Sequence, residues 1–91
     1  MRKHRRHASD LNQPDFIHAL KQIGCTVECI GEPVDLLVGY RKRNFLIECK
    51  SPKGALTPTQ KKFFADWKGQ VRKCKSAEEA IKLVTESYKV Q

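Results

Sequence analysis

The chain has 91 residues, enough for one domain and too few for two. Eighteen lysines and arginines stand against ten aspartates and glutamates, a formal net charge of +8. That balance excludes an acidic solvating protein and makes polyanions the natural partners, nucleic acid first and an anionic membrane surface second. No apolar run approaches the ~20 residues that cross a bilayer, and no apolar stretch follows the basic N-terminus as it would in a signal peptide, so no membrane association and a cytoplasmic location are expected.

Residues 1–8 (MRKHRRHA) form a basic arm with no core-forming residue, and residues 9–91 are read as a single domain. A first helix is predicted over Gln13 to Ile23. Asn12 is its N-cap, Pro14 lies in its first turn, and Phe16, Ala19, Leu20 and Ile23 make its buried face before Gly24 ends it. Three strands follow, over Cys25–Ile30, Val34–Tyr40 and about Asn44–Cys49, with Lys50 at the end of the third. Gly31-Glu32-Pro33 separates the first two, and Arg41-Lys42-Arg43 is a tight basic hairpin between the second and third. The last two strands are apolar on both faces, which predicts a sheet covered on both sides. After the loop Ser51-Pro52-Lys53-Gly54, Thr57-Pro58 caps and opens a second helix running through Trp67, with Phe63, Phe64 and Trp67 on one face and read as core. Gln70–Cys74 is a fourth strand. Ser76-Ala77-Glu78-Glu79 is a capping box for a last helix over 77–88, buried through Ala80, Ile81, Val84 and Tyr88. The predicted order is αβββαβα, an α/β fold.

Cys25, Cys29, Cys49 and Cys74 lack the paired spacing of a zinc site and are read as reduced, buried, inert thiols. His4 and His7 fall in the arm, and His18 beside the apolar stripe is a surface or boundary residue.

Pro33-Val34-Asp35, twelve intervening residues, and Glu48-Cys49-Lys50 carry the chemical signal. Alternate strand residues share a face, so Glu48 and Lys50 point together, away from Phe45, Ile47 and Cys49. Two charges on one face of a buried strand are costly unless paired or metal-bound. Asp35 joins them only if it opposes Glu48 or Lys50, which requires a two-residue turn at Arg41-Lys42 or Lys42-Arg43, or a bulge near Asp35. Two carboxylates suit Mg²⁺ or Mn²⁺, and a lysine can orient water and offset the charge that develops at phosphorus. Arg41, Lys42, Arg43, Lys53, Lys61 and Lys62 are candidate phosphate contacts. A chain this short has no separate base-reading module, which points to recognition of DNA shape such as a junction, flap or branch.

The segments PVDLLVGY and NFLIECKSPKGALTPTQKKFFADWKGQV resemble the VRR-NUC branch of the PD-(D/E)XK nucleases, in particular its minimal stand-alone forms found in phages. The resemblance runs from about Asp10 to Val84. It implies a restriction-endonuclease-like αβββαβ core with a mixed four-stranded sheet and a C-terminal helix. It further implies Mg²⁺- or Mn²⁺-dependent endonuclease activity on DNA, and a homodimer acting like a junction resolvase. In that family Asp35 and Glu48 match the metal ligands, the Cys49 backbone carbonyl adds a ligand, Lys50 matches the family lysine and Gln60 a catalytic glutamine of the second helix. Asp15 matches an acidic residue of the first helix that is often Glu, and is shorter by one methylene. Thr57 and Gln60 also satisfy a capping box, which gives Gln60 a second possible role. Two rival functions are a non-catalytic nucleic-acid-binding module on the same fold, and a basic accessory subunit in which Lys50 merely pairs with Asp35 or Glu48.

Overall fold

The computed structural model describes residues 8–90, with side chains over 13–86. Its elements are α1 (Ala8–Gln22), β1 (Thr26–Cys29), β2 (Leu36–Tyr40), β3 (Arg43–Cys49), α2 (Pro58–Asp66), β4 (Val71–Cys74) and α3 (Ala77–Val90). The order αβββαβα follows the sequence reading. The basic arm lies outside the described residues except for Ala8, which opens α1. Asn12 is therefore inside the helix rather than its cap, and Pro14 sits within it. Proline's fixed φ is helical, so α1 continues through Pro14 with one backbone N–H missing.

The four strands form one mixed sheet in the order β1-β2-β3-β4. β1 with β2 and β2 with β3 are antiparallel, and β3 with β4 is parallel. Tyr40 pairs with Arg43, so the hairpin closes through the two residues Arg41 and Lys42, whose φ values of 53° and 68° lie in the left-handed region.

One face of the sheet carries the core. Leu36, Val38, Phe45, Ile47, Cys49 and Cys74 are buried on it against Phe16 and Leu20 of α1 and Ala80 and Val84 of α3. Ile81 packs against this cluster, while Tyr88 falls outside the described side chains. The other face is only partly covered, contrary to the expectation of a sheet buried on both sides. Its helix, α2, has nine residues and none of them is buried. Phe63 and Phe64 are half-buried, Trp67 is 47% exposed and Leu37 37% exposed. These aromatics are a partly open layer, not core: their spacing puts them on one helical face, but a short helix leaves that face incompletely roofed.

Candidate active site

The hairpin register decides what meets at the end of β2 and β3. Leu36 pairs with Ile47 and both point into the core; continued one residue past the ladder, the same register would set Asp35 across from Glu48 on the other face. This is the arrangement that a two-residue turn requires. The ladder stops at Leu36–Ile47, and the Cys49 N–H beyond it donates instead to Asp35 Oδ2 at 2.8 Å. The Asp35 carboxylate thereby stands in for a backbone acceptor where the strands part. Behind it, the Asp35 carbonyl accepts from Ile30 N at 2.9 Å and Gly31 N at 3.3 Å, which ties the approach to β2 to the end of β1.

Glu48 is only 4% exposed. A buried carboxylate needs donors, and two converge on its Oε2: Lys50 Nζ at 3.3 Å and Gln60 Nε2 at 2.8 Å. The two roles weighed for Gln60 prove compatible. Its Oε1 accepts from Thr57 N at 3.0 Å while Thr57 Oγ1 accepts from Gln60 N at 3.2 Å, a complete capping box. Because the cap claims the amide oxygen, the amide nitrogen is left to face Glu48. Thus α2 is anchored to the sheet through the same side chain that starts it. The loop passes close to the Lys50 stem at Gly54, where an added Cβ would lie 3.1 Å from Lys50 Cβ and crowd it.

A residue missed from sequence alone joins this group. In the parallel register Glu48 pairs with Lys73 of β4, so half-buried Lys73 shares the face of Glu48 and Asp35. Parallel pairing across a crossover has no turn to set its register, and only the presence of a lysine in β4 hinted at it.

The other candidates divide. Asp15 is exposed on α1, whose Phe16 and Leu20 pack on the opposite face of the sheet. It does not complete a ligand group: among the described residues no three His, Cys, Asp or Glu side chains are grouped to hold a metal. Arg41 and Lys42 are exposed at the turn, with Arg41 5.3 Å over the Tyr40 ring, and Lys53 and Lys61 are exposed beyond the site. Arg43 is half-buried and alternates with Asn44 onto the core side of the sheet. Lys62 lies on the far side of α2 from Gln60 and pairs with Asp66 at 2.9 Å.

The Cys49 side chain is buried on the core face, and burial, with the negative charges of Asp35 and Glu48 close behind, pushes its thiol far above the ordinary range. Burial pushes the Cys74 thiol up to about 12. Cys25 is likewise buried, but Cys29 is exposed, against the expectation of four buried thiols. In the folded chain Cys29 should therefore react at once with a thiol reagent at pH 8, and the three others only on denaturation. The buried thiols stay neutral at pH values where unfolded ones ionise, above about 8.5. Their contribution is present below that pH and is lost as pH rises toward 12, so the urea midpoint should fall between pH 8 and pH 10, by less in Cys74→Ala.

No helix of the described residues is long and apolar enough to cross a membrane. No family model matches the chain, and comparison with curated proteins and with solved structures finds no match.

Proposed function

We propose that the chain is a metal-dependent nuclease with a restriction-endonuclease-like core, hydrolysing phosphodiester bonds in DNA and selecting branched or otherwise irregular structures. The observation that carries this reading is the convergence of Lys50 and Gln60 on one oxygen of buried Glu48, with the Asp35 carboxylate held at the amide of the next residue, Cys49. The donor set fits a hard cation: two carboxylates from the ends of neighbouring strands, one of them buried, are what Mg²⁺ or Mn²⁺ needs beside its own waters and a phosphate. Asp35 and Glu48 would hold the ion, with the carbonyl of Cys49, the residue between Glu48 and Lys50, and the ion would supply Lewis acidity at the phosphate and an activated water.

The residues of the chain do the rest. Gln60 holds Glu48 in one rotamer. Lys50, paired with Glu48, places a cation beside that carboxylate and orients the attacking water. Lys73 adds a second cation in the neighbouring strand and offsets charge on the phosphate. A homodimer would present two such sites to two strands. Nicking of supercoiled plasmid that requires Mg²⁺ or Mn²⁺ and is lost in Lys50→Ala tests the reading. Plasmid left intact by wild type with either ion would overturn it.

A second reading is favoured by the Lys50–Glu48 ion pair itself, at 3.3 Å, which would also serve a non-catalytic DNA-binding module. That reading expects DNA binding without nicking.

The turn gives an independent check on DNA contact. Arg41 and Lys42 hold positive φ, a conformation that asparagine and glycine adopt at lower cost. Replacing them by Asn-Gly should raise stability by about 1 kcal/mol, after loss of the Arg41–Tyr40 stacking. The same change should weaken DNA binding and reduce the slope of log affinity against log salt by about 2. Urea unfolding and titrations at several salt concentrations measure both.

A further inference from the structure

The half-open face beside the carboxylates contains a groove of about 730 Å³ lined by Pro33, Leu37, Asn44, Leu46, Trp67, Gly69 and Gln70. It begins one step along the sheet from the site: Leu37 pairs with Leu46, the same-face row next to Asp35 and Glu48. Two strand residues span ~7 Å, so a nucleotide with its phosphate at Glu48 and Lys50 can reach the groove with its base. Further along the same strands lies the cationic turn of Arg41 and Lys42. The groove thus runs from the mixed cluster of Asp35, Glu48, Lys50 and Lys73 to a purely cationic turn, and the turn's charges suit a polyanion better than an apolar peptide.

Its wall is a prepared aromatic surface. Trp67 is 47% exposed. Phe63 supports the indole with ring centroids 5.2 Å apart and planes tilted 31°, and a Cβ at Gly69 would come within 2.7 Å of Nε1. The indole is held in place while half of it stays open. The floor is aliphatic, and the amide side chains of Asn44 and Gln70 can donate to or accept from the edge of a base. An open aromatic face between a candidate phosphate site and a cationic turn is the combination that binds single-stranded nucleic acid.

We infer that this groove takes an unpaired base of the strand whose phosphate lies at the carboxylates, with Trp67 as the stacking surface. This rests on the nuclease reading and narrows it to substrates with unpaired nucleotides next to the cut, such as flaps, bulges and the open centres of junctions.

Trp67 is the single tryptophan of the chain and reports on the groove directly. Wild-type protein in metal-free buffer is titrated with a labelled oligothymidylate and, separately, with a fully paired blunt duplex, following label anisotropy and tryptophan emission together. The oligothymidylate should bind and quench Trp67, and the duplex should leave its emission nearly unchanged. Trp67→Ala should weaken oligothymidylate binding about 5- to 150-fold, and Trp67→Phe should retain most of it. Binding with unaltered emission, or with full affinity in Trp67→Ala, would overturn the inference and leave the nuclease reading standing. Failure to bind either nucleic acid would also overturn the inference, while plasmid nicking with Mg²⁺ or Mn²⁺ decides the nuclease reading separately. Emission that changes with protein concentration alone would put a second copy of the chain in the groove and likewise overturn the inference.

Discussion

Glu48→Gln is expected to abolish plasmid nicking, a fall of at least about 10²–10³, while leaving stability within about 1 kcal/mol of wild type. Lys50→Ala is expected to lose activity to the same degree and also to destabilise. The asymmetry follows from burial. Glu48 is almost fully enclosed, its side chain 5% exposed, and Lys50 is nearly as enclosed at 14%. A glutamine in place of Glu48 removes a buried charge and keeps an oxygen for Gln60, so the desolvation cost recovered offsets the ion pair lost. Removing Lys50 strands a buried carboxylate. That costs ~3–5 kcal/mol when nothing else supports the charge, and about half as much here because Gln60 still donates to Oε2. Urea unfolding and nicking assays on both variants separate the functions. A purely structural ion pair would show both variants destabilised and nothing lost but stability. Retained stability with lost chemistry in Glu48→Gln marks a residue kept for function at no gain in stability.

Gln60→Glu should produce the second large effect, and one that depends on pH. The capping oxygen survives, but the amide nitrogen 2.8 Å from Glu48 becomes a second carboxylate oxygen. Two carboxylates at that separation cannot both ionise cheaply; the pair holds a proton, its apparent pKa raised above the ~4.3 of unfolded glutamate. A raised folded-state pKa stabilises at low pH and is lost as pH rises through it, so the variant should be close to wild type in stability at pH 5 and weaker by pH 8. Cleavage at pH 8 should fall about 100-fold or more. Thr57→Ala is the control. It removes the other half of the capping box, for about 1 kcal/mol, yet leaves Gln60 against Glu48, and cleavage should stay within about 3-fold of wild type. Equal activity loss in Thr57→Ala and Gln60→Glu would mean that Gln60 acts only through the cap.

What the sequence made legible was mostly local. A two-residue turn fixes every pairing along β2 and β3, and the turn at Arg41-Lys42, one of the two that the sequence allowed, sets Leu36 opposite Ile47 at the end of the ladder. Thr57-Pro58 and Gln60 mark the start of α2 because orphan N–H groups must find acceptors. Lys73 was not legible, since its place depends on the register of β4 across the crossover from Cys49 to Val71, and no turn dictates it. Periodicity grouped Phe63, Phe64 and Trp67 correctly but did not reveal that none of the described residues closes over them; that depends on the length of α2 relative to the sheet. Asn12 and Pro14 carry the marks of a helix start, and the local signal lost to continuation of the helix from Ala8. The Lys62–Asp66 pair was readable from i,i+4 spacing and removes Lys62 from the cations most available to DNA.

Line broadening by Mn²⁺ in the amide spectrum of the uniformly ¹⁵N-labelled chain reads out where a divalent ion sits, even when binding is weak. Broadening at low Mn²⁺ should centre on Asp35, Glu48, Cys49 and Lys50, with Lys73 and Gln60 next, and should vanish from that region in Glu48→Gln. Broadening centred elsewhere, or unchanged in the variant, would contradict the assignment of these carboxylates as the seat of the chemistry.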